Sequence, residues 1–184
     1  MRISGGRLRG QKIFAGRGVY RPTQDRIRKA IFDHLGPVVD GLRVLDPFCG
    51  SGAFGIEAIS RGASFVVFID KERAAVEVTN RNLERLKVPK TAYRVFRGDA
   101  FLVLSRLIGE GYEFGLVFLD PPYNSGLYDR FIALLGGTSL LRPGGVVVAE
   151  HSKRIEPSWE TGPFRLEDSK KYGDTIVTYL VKEG

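Results

Sequence analysis

From residue 42 onward, apolar segments of strand length alternate with segments of helix length through five successive strands. Residues 42–45 are a short apolar strand. A glycine-rich turn and a helix over about 53–61, closed by Gly62, follow it. Residues 65–69 are a continuous apolar run, as expected of a strand buried on both faces. The pattern then predicts a helix over 72–87, a strand over 92–96 and a helix over 100–108. A strand over 116–119, a helix over 127–135 and a strand over 146–149 complete it. The turn Arg142-Pro143-Gly144-Gly145 precedes the last strand. Residues 164–182 alternate around Tyr172-Gly173-Asp174 and read as a closing β-hairpin. Such alternation restricts the chain to an α/β fold: a doubly wound, mostly parallel sheet. At 184 residues, one core is enough.

In such sheets ligands bind outside the carboxyl ends of the strands. The residues there are Asp46, Asp70, Asp99, Asp120 and Glu150-His151. One acidic residue after a strand reads as a helix cap. Five on one rim point to a ligand.

Gly50-Ser51-Gly52-Ala53-Phe54-Gly55 satisfies the G-x-G-x-x-G pattern between a strand and a helix, and Asp70 follows. A dinucleotide is one reading. However, Asp46 stands beside the loop, where a carboxylate would repel a pyrophosphate. S-adenosylmethionine carries no phosphate, and its sulfonium and ammonium are cations that suit an acidic mouth. The expected cofactor residues are Asp46, Phe48, Gly50 and Gly52 in the loop and Asp70 as acceptor for both ribose hydroxyls. Asp99, with Ala100, is expected at the adenine amino group, and Lys71 or Phe101 against the ring. Asp70 and Asp99 as plain helix caps are the alternative.

Asp120-Pro121-Pro122-Tyr123 is the most specific signal in the chain. Two prolines fix the backbone and remove two amide donors. The Pro121 carbonyl and the Asp120 carboxylate can then accept both hydrogens of an exocyclic amine, while Tyr123 offers a face for stacking a base. An amine on an aromatic ring is a poor nucleophile because its lone pair is delocalised. Accepting both hydrogens favours a pyramidal nitrogen aimed at a sulfonium methyl. That is catalysis by orientation and electrostatics, without a metal or a covalent intermediate.

The net charge is +7, and its distribution is uneven. Residues 1–30 carry nine Lys and Arg against Asp25 alone, whereas residues 31–184 carry nineteen against twenty acidic residues. A concentrated excess is the footprint of a polyanion partner. Residues 1–22 read as a basic arm or hairpin, with Arg7, Arg9 and Lys12 as RNA contacts, and residues 23–184 as the catalytic domain. Thr23 reads as a helix N-cap with Asp25 in the first turn. Ile27, Ile31 and Leu35 recur every four residues, and Gly36-Pro37 ends that helix.

The loop Asp46-Pro47-Phe48-Cys49-Gly50-Ser51-Gly52 together with Asp120–Tyr123 resembles class I S-adenosylmethionine-dependent amino-methyltransferases. The segments Gly5-Gly6-Arg7-Leu8-Arg9-Gly10, Arg21–Arg28 and Ile31-Phe32 narrow the resemblance. They are similar to the bacterial family that methylates guanine N2 in 16S ribosomal RNA. The likeness covers nearly the whole chain and is least specific after residue 155. It implies a seven-stranded sheet, S-adenosylmethionine as donor and a partly assembled small ribosomal subunit as partner. It also implies Thr23, Asp25 and Arg26 near the methionine end of the cofactor, a monomer and a cytoplasmic location.

Other classes fare worse. Cys49, the single cysteine, lies in the cofactor loop rather than beside the substrate motif, which suits packing. His34 and His151 read as structural, and no Cys/His spacing suits a metal. No apolar run has the length of a signal peptide or membrane span. A nicotinamide oxidoreductase conflicts with Asp46 and with residues 120–123. A non-catalytic RNA-binding module would leave five rim carboxylates unexplained. Adenine N6 in RNA or DNA stays open as a target, because adenine and guanine both present an exocyclic amine.

Overall fold

The protein is described from a computed structural model, covering residues 1–15, 22–122, 125–155, 157–159 and 162–184. Seven strands, numbered in chain order, form one sheet in the order third, second, first, fourth, fifth, seventh, sixth, the Rossmann-like arrangement of class I methyltransferases with a C-terminal hairpin. The chain packs as two compact units, Met1–Val103 and Leu104–Gly184.

The first unit holds α1 (Pro22–Leu35), β1 (Arg43–Asp46), α2 (Ala53–Ser60), β2 (Phe65–Asp70), α3 (Arg73–Arg85) and β3 (Tyr93–Arg97). α4 (Ala100–Gly109) spans the junction between the units. Strands β1, β2 and β3 are parallel, with Asp46 opposite Phe68 and Asp70 opposite Arg97. Val44, Leu45, Val66, Val67, Phe68 and Ile69 are all fully buried, which explains the unbroken apolar runs. α1 starts at Pro22, a residue suited to a first helical position. Thr23 therefore sits inside the first turn rather than capping it, and its side chain lies outside the described residues. Ile27, Ile31 and Leu35 form the buried stripe that their spacing predicts.

Residues 1–15 form a short antiparallel pair, with a bridge between Arg2 and Lys12. It is clamped onto α2 and α3. Ser60 accepts from the Arg7 amide through its carbonyl at 2.8 Å and donates its hydroxyl to the Gly5 carbonyl at 2.5 Å. Gly6 has φ +70, and a Cβ there would lie 1.8 Å from the Ser60 carbonyl oxygen. No side chain fits between hairpin and helix at that point. Glu57, fully buried, accepts from Ser4 and Gly5 and pairs with Arg61 at 3.0 Å and Arg28 at 3.5 Å.

The second unit holds β4 (Phe114–Leu119), α5 (Ser125–Gly136), β5 (Leu141–Ser152), β6 (Phe164–Tyr172) and β7 (Thr175–Lys182). β4 and β5 are parallel; β5–β7 and β6–β7 are antiparallel. β5 is longer than the predicted 146–149. Its extra residues 150–152 pair with residues 175–177 of β7, contacts that local sequence does not encode. At its start the ladder jumps from Phe114–Leu141 to Leu116–Val146, so Arg142-Pro143-Gly144-Gly145 bulges out within the strand. The Lys182 ammonium is buried but donates to the carbonyls of Leu135, Thr138 and Leu141 at 2.6–3.0 Å. Burial holds its pKa below the usual lysine range.

Candidate active site

The glycine loop in the first unit is built by four buried or half-buried polar side chains. Asp46 is only 4% exposed, and its Oδ2 accepts the Gly55 amide at 3.2 Å. Gly55 is the third residue of α2, whose N-cap Gly52 has φ +77 and no side chain to cap with. Asp46 supplies that cap from the strand. The sequence reading put Asp46 beside the loop in an acidic mouth; the structure buries it against the helix start. Its effect on ligand choice survives. A dinucleotide pyrophosphate would use these same amides, and a carboxylate already holds one of them.

Asp70 accepts the Gly50 amide through Oδ2 at 2.9 Å and the Glu72 amide through Oδ1 at 2.9 Å. Thr79 donates to the Gly50 carbonyl at 3.0 Å, and Asn82 to the Ser51 carbonyl at 2.9 Å. Thr79 and Asn82 lie on the buried side of α3, and the sequence reading missed both. Two polar residues three apart on a core-facing stripe were the available signal. Gly50 has φ +53, and a Cβ there would meet nothing within 4 Å. The loop backbone is thus open to close approach by a ligand. Gly55 is the opposite case: a Cβ would lie 2.2 Å from the Phe68 ring, so α2 packs tightly on β2.

Asp99 caps α4, accepting the amides of Phe101 at 3.0 Å and Leu102 at 3.2 Å through one oxygen. Its side chain is exposed, as is Lys71, and Ala100 is buried. Asp46, Asp70 and Asp99 line the carboxyl edge of three parallel strands, with Phe48 half-buried in the loop. Asp25 pairs with Arg28 at 2.8 Å, while Arg26 is exposed. Cys49 is buried, 3.6 Å from the Thr79 hydroxyl, and burial pushes its thiol well above the usual range. It is no nucleophile at neutral pH.

In the second unit, Asp120 follows β4. Leu119 is opposite Ala149, so Asp120 and Glu150 come next to each other on neighbouring parallel strands. The Asp120 side chain reaches solvent, yet the surrounding protein removes enough of its hydration to push its pKa up to about 6. Burial, and then repulsion by Asp120, push Glu150 up to about 8. Desolvation and mutual repulsion thus favour protonation in this pair, and the two carboxyls titrate together. Pro121 is buried and Pro122 exposed; Tyr123 lies outside the described residues.

His151 Nδ1 lies 3.2 Å from the carbonyls of Ser152 and Ile155, and Nε2 lies 3.0 Å from the Thr178 hydroxyl. Carbonyls only accept, so Nδ1 carries the hydrogen. Its ring also stacks obliquely on Trp159 with centroids 5.3 Å apart, and burial lowers its pKa. His151 is structural. Among the described residues no group of three His, Cys, Asp or Glu could hold a metal ion. None of their helices is long and apolar enough to cross a membrane.

Residues 1–181 match the family model described as conserved hypothetical protein 95. The chain is 35% identical over 185 residues to the Bacillus subtilis protein YlbH, covering 100% of both. It is 36% identical over 151 residues to the Escherichia coli protein named ribosomal RNA small subunit methyltransferase D, covering 82% of this chain and 74% of that one. The solved structure of the Escherichia coli protein yhhF superimposes with a TM-score of 0.85 at 31% identity. That match covers 100% of this chain and 98% of the other.

Proposed function

Because the chain belongs to the conserved hypothetical protein 95 family, that of ribosomal RNA small subunit methyltransferase D, we propose that it methylates the exocyclic N2 amine of a guanine in 16S ribosomal RNA. The donor is S-adenosylmethionine. The observation that carries this reading is the Asp120 carboxylate, followed by two prolines at the end of a fully buried parallel strand.

When bound, the donor supplies a methyl group made electrophilic by its sulfonium. Gly50 allows it close to the backbone, Gly52 beside it lets the loop pack against Thr79, and Asp70 keeps lone pairs for ribose hydroxyls. Asp99 lies at the edge where adenine is expected, beside Ala100 and Lys71. Thr23, Asp25 and Arg26 are proposed for the methionine end. Asp120 and the Pro121 carbonyl accept the two amine hydrogens, turning the nitrogen lone pair toward the methyl. Asp120 stabilises the positive charge that develops on nitrogen. Tyr123 stacks on the base. A base held in a duplex cannot reach such a motif, so the target guanine is unpaired or flipped.

The exposed cations Arg7, Arg9 and Lys12 bring the RNA in. The reading carries with it a cytoplasmic monomer that acts on a partly assembled small subunit. Methylation of adenine N6 is the second reading, since residues 120–123 suit either amine. A tritiated methyl-transfer assay on naked 16S RNA, partly assembled subunits and DNA tests the proposal. Label in small-subunit RNA supports it, and label only in DNA contradicts it.

A further inference from the structure

α3 carries two arginines, Arg81 and Arg85, one turn apart and both exposed. Both guanidinium groups sit over the ring of Phe14, at 3.9 Å and 5.2 Å from its centroid. Phe14 is the end of the N-terminal hairpin. Its backbone is locked by buried Asn82, which accepts the Phe14 amide at 2.7 Å and donates to its carbonyl at 3.0 Å. The platform is therefore held from both sides, and its cations are pre-ordered.

Two exposed cations near this surface are neutralised. On α3 itself, Glu77 pairs with Arg73 at 2.7 Å, and Glu84 pairs with Lys90 at 3.6 Å. Among the described residues, neither Arg81 nor Arg85 has a carboxylate within ion-pair reach. Two ordered guanidinium groups with no counter-charge beside them suit a phosphate backbone. Arginine on an aromatic face keeps its in-plane N–H donors free for phosphate oxygens. A mobile lysine would lose more entropy in making the same contact.

We propose that Arg81 and Arg85, stacked on Phe14, are a second phosphate-binding patch for the RNA substrate, extending the surface of the hairpin onto α3. This rests on the RNA-methylating reading above. The patch also has a direct connection to the cofactor loop. The same Asn82 amide that holds Phe14 donates to the Ser51 carbonyl at 2.9 Å. RNA bound across Phe14 thus touches the segment that fixes the glycine loop.

The test uses the full chain and a labelled RNA stem-loop with an unpaired guanine, titrated across a salt series. The double variant Arg81→Gln/Arg85→Gln should bind about fivefold to tenfold more weakly near 0.1 M salt. Its log K against log salt should flatten by roughly 1 to 1.5, for two lost phosphate contacts on single-stranded RNA. Phe14→Leu keeps an apolar group but removes the ring face. It should weaken binding less than the double variant and leave the slope nearly as in wild type. Arg106→Gln, a cation paired with Glu110 at 2.7 Å, should change neither quantity. Thermal midpoints within a degree or two of wild type confirm that the variants are folded. The hairpin variant Arg7→Gln/Arg9→Gln/Lys12→Gln separates the two claims. If it flattens the slope while the double variant does not, the α3 patch is wrong and RNA binding by the hairpin stands. If the wild type shows no salt-dependent RNA binding, the underlying reading fails as well.

Discussion

The Asp70 carboxylate accepts the Gly50 amide at 2.9 Å, so the end of β2 holds the first glycine of the cofactor loop. A second amide, that of Glu72, occupies its other oxygen at 2.9 Å. Each carboxylate oxygen retains a lone pair, and these are directed to ribose hydroxyls in the proposed complex. Asp70 thus shapes the loop and, in the proposed complex, also serves the ligand. Asp70→Ala is predicted to weaken S-adenosylhomocysteine binding by about 1.5–3 kcal/mol, the cost of lost hydrogen bonds to a charged group. Isothermal calorimetry measures this. Binding of NAD with comparable affinity would contradict the assignment of the donor.

Asp120→Asn keeps the shape of the side chain but removes the anion. Turnover should fall by about two to three orders of magnitude, as for other groups that stabilise developing charge. Affinity for S-adenosylhomocysteine should change little. Because Asp120 is pushed up to about 6 and acts as the anion, wild-type turnover should fall as pH drops through about 6. Single-turnover rates from pH 5 to 8 check both points, and a flat profile would remove Asp120 from the chemistry.

Glu150 makes a prediction about stability. Its pKa rises from 4.5 to about 8 on folding. The native state therefore holds a proton that the unfolded chain releases across that window. The stabilisation is complete below about 4.5 and is lost as pH rises through about 8. Asp120 adds the same sign between 3.8 and about 6. Glu150→Gln cannot ionise, so its melting temperature relative to wild type should rise between pH 5 and pH 8.5. Thermal melts at the two pH values decide; a constant difference would show that Glu150 is ordinarily hydrated.

Glu57 holds the N-terminal hairpin and two arginines from a fully buried position. Glu57→Ala leaves Arg28, itself only 2% exposed, without that partner. The expected loss is about 3–5 kcal/mol in urea unfolding, typical of breaking a buried charge pair. A loss under about 1 kcal/mol would mean that the hairpin docks without Glu57, through Ile3, Ile13 and the hydrogen bonds to Ser60 and Asn82.

Much of this was legible in the sequence because period and punctuation are local. The parallel strands announced themselves as apolar runs, and the acidic residues at their ends followed from the same boundaries. What stayed hidden depends on chain-distant partners. Asp46 read as part of an acidic mouth, but from the end of β1 it turns toward the Gly55 amide near the start of α2. Thr79 and Asn82 read as ordinary helix residues until α3 is laid on the loop. The basic N-terminal residues pair through a bridge between Arg2 and Lys12. Their clamp by Glu57 and Ser60, some fifty residues away, has no local signature. The length of β5 was misjudged for the same reason, since β7 supplies its partners.

The central claim is that Asp120 and Pro121 present an exocyclic guanine amine to a sulfonium methyl. The most direct measurement incubates the purified protein with deuterated-methyl S-adenosylmethionine and partly assembled small subunits. The RNA is then digested to nucleosides and the labelled product identified by mass spectrometry, with Asp120→Asn in parallel. The account predicts labelled N2-methylguanosine with wild type and a signal about a hundredfold or more lower with the variant. Labelled N6-methyladenosine, or equal labelling by Asp120→Asn, would contradict it.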